Sequence, residues 1–172
     1  MRDDPSTQLH TVYSLFQTTS SRGPRLFLAV LDSLRDIFPA SAPTLVIYAI
    51  RGRCSAQRLT SPGGQSSCTQ ADESDPRYSD FVNGDPLFRH GTLYLPFPSS
   101  GRPHGFLSLR LPDPQPAILS GLKFISQLVS TELRSQELRQ EQTFQQLIAD
   151  LDHALASLTD INQLLSASAH LL

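Results

Sequence analysis

The sequence predicts an α/β (α+β) domain, with a central antiparallel sheet of five or six strands sandwiched by helices, followed by a long C-terminal helix that forms a coiled coil. Residues 44–50 (TLVIYAI) form a β-branched and aromatic run without polar alternation, which predicts a central strand covered on both faces. Two segments before it carry apolar residues at helical spacing. Residues 122–172 contain neither Gly nor Pro, which is typical of a long helix.

Composition places the chain among globular proteins. Its 172 residues are 39% hydrophobic and 17% charged, enough for one domain with a sizeable core plus an accessory element. A net charge of −2 gives no electrostatic reason to expect nucleic acid or an anionic membrane surface. Neither a secretory signal nor an apolar run of about 18 residues is present. We therefore expect a soluble, cytoplasmic protein with no nucleic-acid or membrane partner.

Two amphipathic helices are predicted before the first strand. Residues 1–6 are polar and are expected to be disordered. Apolar residues then recur at helical spacing over residues 7–18. A second helix is predicted over residues 24–38, because Pro24 suits the first turn of a helix and Pro39 ends it.

The middle of the chain predicts strands separated by turn-forming segments. Residues 61–76 are rich in Pro, Gly, Ser and Asp and predict the longest loop. A short helical turn is expected near Tyr78, and residues 98–104 are expected to form a hairpin loop. Four strands are identified from composition and length: 44–50, 54–60, 92–97 and 105–111.

The long C-terminal helix divides into a domain-capping part and a coiled coil. Residues up to 140 carry a core-facing stripe and then a polar neck, so the domain is assigned to 7–140. Residues 141–172 show four heptads of apolar a and d positions, although Ala154 and Ser168 weaken the d positions. This pattern predicts a parallel homodimer; the alternative is a helix that packs back on its own domain. The predicted dimer interface comprises Phe144, Leu147, Leu151, Leu158, Ile161 and Leu165.

Two neighbouring strands resemble the signature of GAF domains. Residues 91–97 (GTLYLPF) and 105–111 (GFLSLRL) look like the family's strand ending in V-P-L, its hairpin and its following G-V-L strand. Residues 26–50 are similar to the family's opening helix and first strand, so the resemblance covers roughly residues 8–140. Residues 158–168 (LTDINQLLSAS) resemble the segment with which many GAF domains begin, which suggests the start of a further module; the alternative is a plain helix tail.

The residues predict no catalytic chemistry, no cofactor and no metal site. Cys54 and Cys68 match no zinc spacing, and the five histidines are scattered without a paired motif. No GxSxG, P-loop or GxGxxG sequence is present. The resemblance does not extend to the family's cyclic-nucleotide motif, its Cys-His pigment attachment or its cysteine cluster for methionine sulfoxide reduction. We therefore expect a protein that is not an enzyme.

The resemblance implies a regulatory function. It predicts a sensory and dimerisation domain of a multidomain bacterial signalling protein, of the sensor histidine kinase or diguanylate cyclase type, acting on a downstream output domain. Such a domain binds a small molecule or partner in a pocket between the sheet and residues 61–90; the alternative is an interaction and dimerisation module without a ligand. The pocket candidates combine apolar area with hydrogen-bonding tips: Tyr48, Tyr78, Phe81 and Tyr94.

Overall fold

A computed structural model describes most of the chain as two compact units, Met1–Leu133 and Arg134–Leu172. Side chains are described for the same residues as the backbone, except 6, 67–69, 78 and 158–169. The disorder predicted for the N-terminus falls mainly on residues 1–4, which lie outside the described residues. The described backbone comprises residues 5–18, 23–48, 56–61, 67–69, 76, 78–81, 84–98, 104–111 and 113–169.

Three α-helices each begin with a proline, whose fixed φ and missing N–H suit the first turn. The helices α1 and α2 lie within two residues of their predicted bounds. The end of α2 is marked by the Phe38 N–H, which donates to the Leu34 carbonyl at 2.8 Å, and Pro39 follows. The helices are α1 (Pro5–Thr18), α2 (Pro24–Ile37) and α3 (Pro116–Ala169).

In the described part of the chain, six antiparallel strands form one sheet in the order β3-β2-β1-β6-β5-β4. The four inner strands are those that the sequence predicts. The two edge strands have three residues each, too few for a periodic pattern, and sequence analysis missed them; β3 lies inside the predicted loop 61–76 and corrects that prediction. The strands are β1 (Thr44–Tyr48), β2 (Ala56–Thr60), β3 (Ser67–Thr69), β4 (Leu87–Arg89), β5 (Thr92–Pro96) and β6 (Gly105–Arg110).

The two faces of the sheet bury different kinds of side chain. Leu45 and Val46 are adjacent on β1, point to opposite faces and are both buried, which confirms that this strand is covered on both sides. Aliphatic residues of the helix face, such as Leu107, pack against all three α-helices. The opposite face, the loop-side face, carries Val46 and Phe106. The three helices thus cover one face of the sheet, and a separate cluster lies on the loop-side face.

The close approach of β1 and β6 requires a glycine at the start of β6. A Cβ atom on Gly105 would lie 1.9 Å from the Val46 carbonyl oxygen. Only a residue without a side chain fits, because the clash is with backbone and cannot be relieved by a rotamer change. Gly105 therefore permits the pairing at the centre of the sheet.

The helix α3 changes surroundings along its length. Between Leu122 and Leu133 one face of α3 is buried in the core of the domain. From Arg134 to Ser157 the helix contains no buried residue, and large apolar side chains are exposed. No helix among the described residues is long and apolar enough to cross a membrane.

Candidate functional site

An aromatic cluster occupies the loop-side face of the sheet and consists of Tyr48, Phe81, Tyr94 and Phe106. Phe106 is fully buried at its centre, and the ring centroids of the other three lie 5.6 to 6.0 Å from its own. Tyr48 and Tyr94 present their rings edge-on, an arrangement that the quadrupoles of aromatic rings favour. Val46, Ala56 and Leu87 pack with these rings on the same face.

Strand register brings the cluster together. Val46 pairs with Phe106, and Phe106 pairs with Pro96, so these residues share a face. Tyr48 and Tyr94 lie two residues from members of this row and therefore point to the same side. Phe81 comes from outside the sheet and follows a 3-10 turn at Tyr78–Asp80. The sheet supplies three rings, and one connecting segment supplies the fourth.

An ion pair tethers this segment to the edge of the sheet. The Arg89 guanidinium on β4 lies 3.3 Å from the Asp80 carboxylate, directly before Phe81. Exposed pairs of this kind contribute about 0–1 kcal/mol to stability. The pair links the residue next to Phe81 to β4.

The two tyrosine hydroxyls have different surroundings. The Tyr48 hydroxyl donates to the Pro76 carbonyl at 2.9 Å. No described residue forms a hydrogen bond with the Tyr94 hydroxyl. Tyr94 is half-buried, with its ring against Phe106. Of the two hydroxyls, that of Tyr48 has a hydrogen-bond partner among the described residues and that of Tyr94 does not.

The structure brings together three of the four predicted pocket residues. Tyr48, Phe81 and Tyr94 meet in the aromatic cluster, whereas the side chain of Tyr78 lies outside the described residues. Sequence analysis missed Phe106, the centre of the cluster. The signal was available, because Phe106 directly follows the glycine of a predicted strand, but strand register decides which face a residue occupies. The role of the four predicted pocket residues in binding a ligand stays a prediction.

A second candidate site is the exposed stripe of α3, formed by Phe144, Leu147, Ile148, Leu151 and Leu155. These side chains are 43 to 60% exposed although all are large and apolar. Three belong to the predicted dimer interface; the side chains of Leu158, Ile161 and Leu165 lie outside the described residues. Ile148 and Leu155 were missed because they occupy e positions rather than a or d. The stripe is therefore wider than the predicted seam.

Neither site has metal-binding character. Among the described residues no group of three His, Cys, Asp or Glu side chains could hold a metal ion. The charged residues that the exposed stripe carries on its flanks are acidic, with Asp150 and Asp152 both exposed. Both sites are thus suited to contacts with apolar groups.

Comparison with known proteins identifies the fold. No protein-family model matches the sequence, and the curated proteins contain no match. Solved structures do match. The GAF domain of the potassium sensor histidine kinase KdpD from Escherichia coli is 17% identical with a TM-score of 0.53, over 79% of this chain and 98% of that one. The GAF domain of the Acinetobacter phosphoenolpyruvate-protein phosphotransferase is 12% identical with a TM-score of 0.55, over 82% and 99%.

A third structure agrees with these two. The GAF domain of a proposed sensor histidine kinase from Pseudomonas syringae pv. tomato is 17% identical with a TM-score of 0.51, over 80% of this chain and 91% of that one. At such identities the likeness concerns the fold. It bears out the resemblance seen in residues 91–97 and 105–111. The chain has the GAF fold.

Proposed function

We propose that this chain is the regulatory GAF module of a cytoplasmic signal-transduction protein, in which the α3 helices of two copies pair in parallel and relay changes in the domain to an output domain. The exposed stripe of α3 carries this proposal. Five large apolar side chains lie in water on a helix of 54 residues. The solved GAF domains of sensor kinases and of a phosphotransferase support the signalling context.

The energetics favour a partner for the exposed stripe. Burying a leucine side chain contributes about 1.5–3 kcal/mol relative to leaving it exposed. Leu147, Leu151 and Leu155 are each more than half exposed. Burying them against a second helix would therefore gain more than half of that free energy at each position. These gains exceed the loss of side-chain freedom, which is about 0.5–1 kcal/mol for leucine.

Electrostatics are compatible with two copies of the same helix in parallel. In a parallel pair, g positions of one helix approach e positions of the other five residues further on. Asp150 at g would then meet Leu155 of the second copy, and Thr143 would meet Ile148. No like charges face each other at these positions, so self-pairing is not opposed. A parallel pair also places both C-terminal ends of α3 together, where an output domain can respond to them.

Light scattering tests the dimer. We expect the wild-type chain to be a dimer at tens of micromolar. The variant with Leu147→Lys and Leu151→Lys should be a folded monomer, because lysine charges cannot be buried in an apolar seam. A matched control carries Gln142→Lys and Ala149→Lys, which add the same charge at exposed positions on the opposite side of the helix, and should remain a dimer. A wild-type monomer, or a dimer in the seam variant, contradicts the proposal.

Ligand binding is the second part of the proposal, and the Tyr94 hydroxyl supports it. An interaction module without a ligand is the second candidate, favoured by the domain's own aromatic rings, which pack together on the loop-side face. Native mass spectrometry of protein purified without added ligand separates the two. A bound small molecule that is lost in Tyr94→Phe and retained in Tyr48→Phe supports the sensor; the bare protein mass in every sample supports the second candidate.

A further inference from the structure

The outer edge of β5 changes its hydrogen-bonding partner near its end. In the described residues β4 pairs with β5 only as far as Tyr94. The Phe97 N–H donates to the Gly105 carbonyl at 2.9 Å, toward β6. Because backbone groups alternate along an extended chain, those of Pro96 and Pro98 point to the outer edge. Proline has no N–H, so only two carbonyl groups need partners there.

Two serines of α3 supply these partners. The Ser126 Oγ donates to the Pro96 carbonyl at 2.7 Å, and the Ser130 Oγ donates to the Pro98 carbonyl. Both serines are buried, at 4% and 6% exposure. Removing the Ser126 hydroxyl would leave the buried Pro96 carbonyl without this partner, whereas the contact of Ser130 with the exposed Pro98 is only partly buried. We call Ser126 and Ser130 the serine pair.

The spacing of the serine pair matches that of the two carbonyls. Four helical residues rise about 6.0 Å and place both hydroxyls on one face of α3. Two strand residues rise about 6.6 Å. A shift of α3 by one residue, about 1.5 Å along its axis with a rotation of about 100°, would turn both hydroxyls away from their carbonyls. The serine pair therefore constrains the position of α3 along β5, in addition to the apolar packing of Leu122, Ile125 and Val129.

We infer that Ser126 and Ser130 are positioning residues that couple β5 to α3. The inference rests on the proposed relay and adds its route. Tyr94 of the aromatic cluster lies on β5 two residues before Pro96. A displacement of Tyr94, by a ligand or by a change in the cluster, moves the Pro96 carbonyl, and the serine pair transfers this movement to α3. The route runs from the loop-side face to the helix that leaves the domain.

A single tryptophan can report the position of α3. The chain has no tryptophan, and Phe124 of α3 is 46% exposed with its ring 4.9 Å from that of Tyr13. In a Phe124→Trp background, Ser126→Ala with Ser130→Ala should shift the emission maximum to longer wavelength as α3 loosens and water reaches the indole. Thr131→Ala is the control, because the Thr131 hydroxyl bonds to Gln127 within α3 itself, and its emission should not change.

The coupling is tested by adding Tyr94→Leu. This change should shift the tryptophan emission when both serines are present and leave it unchanged when both are alanine. Circular dichroism identifies which variants are folded. If the serine pair only stabilised the fold, its removal would not alter the tryptophan emission of the folded protein. Equal shifts in both backgrounds, or no shift in either, overturn the inference. The single variants Ser126→Ala and Ser130→Ala serve if the double variant does not fold. The emission is measured within one protomer, so it stands apart from the light-scattering test of the dimer.

Discussion

The two parts of α3 have the same kind of apolar pattern and opposite surroundings. In the first part, Leu122, Ile125 and Val129 are completely buried against the sheet and the other helices. In the second part, Phe144, Leu151 and their neighbours in the exposed stripe lie in solvent. Periodicity therefore predicts a helix and its apolar face, but it does not tell whether that face is covered by the same chain. The difference separates residues that hold the domain together from residues available to a partner.

The largest expected difference in stability is between a charge placed in the first part of α3 and a charge placed in the second part. Ile125→Asp buries a carboxylate in the core and removes an isoleucine, which should destabilise the domain by at least about 5 kcal/mol and unfold it. Ile148→Asp makes the same change where the side chain is 43% exposed and should alter the free energy of unfolding of the domain by less than about 0.5 kcal/mol. Urea unfolding followed by circular dichroism measures both.

Self-association should respond in the opposite way. Ile148→Asp should weaken the dimer in light scattering while the domain stays folded. If the melting temperature of the domain fell equally in both variants, the second part of α3 would be packed on its own domain, and the contrast between the two parts would be wrong.

A smaller loss of stability is expected when a methyl group is added where β1 and β6 approach closely. Gly105→Ala should cost at least about 3 kcal/mol, because the new Cβ would lie 1.9 Å from the Val46 carbonyl oxygen and β1 and β6 would have to separate. Gly91→Ala is the control, since no atom lies within 4 Å of its added Cβ and only the positive φ of 75° is strained. That strain costs about 1–2 kcal/mol. Equal losses in thermal unfolding would contradict the clash.

The smallest effect concerns pH and a residue that touches the buried part of α3. Burial raises the pKa of Tyr13 above its ordinary value of 10.0, because the phenolate is poorly solvated there. The folded state then holds the proton more tightly than the unfolded state. The resulting stability is present below pH 10.0 and is lost as the pH rises through the raised pKa. The free energy of unfolding of Tyr13→Phe should therefore fall less steeply than that of wild type as the pH rises through this range. An equal fall in both proteins would exclude Tyr13 as the cause.

The sequence predicted those parts of the fold that repeat a local pattern. The inner strand Thr44–Tyr48 was recognisable because apolar residues occupy both faces, and α3 because Gly and Pro are missing over a long stretch. The edge strand Leu87–Arg89 was missed since three residues carry no period. In the structure its two-residue turn has positive φ at both His90 and Gly91, as a type I′ turn requires.

The candidate site was predicted by residue type but not by arrangement. Tyr48 and Tyr94 could be chosen because tyrosine suits a pocket, yet their meeting at Phe106 depends on strand register across β1, β5 and β6. The serine pair could not be predicted at all. Ser126 and Ser130 are weak helix formers without a sequence signal, and their partners lie 30 and 32 residues away. Contacts of this kind arise only when the whole domain is assembled.

The strand order has a consequence for how the chain folds. The described strands form two three-stranded meanders, β1-β2-β3 and β4-β5-β6, which pair with each other through β1 and β6. Within the second meander, Leu95 and Leu107 meet across a short hairpin, whereas Thr44 and Ser108 are separated by 64 positions. Closing the longer loop costs about 1.5 kcal/mol more in chain entropy. We expect each meander to form first and their junction to limit the folding rate, so that pulsed hydrogen exchange would protect the amides that pair β1 with β2 and β4 with β5 before those that pair β1 with β6. Until this slow junction forms, the unpaired strand edge of each meander is exposed to other chains.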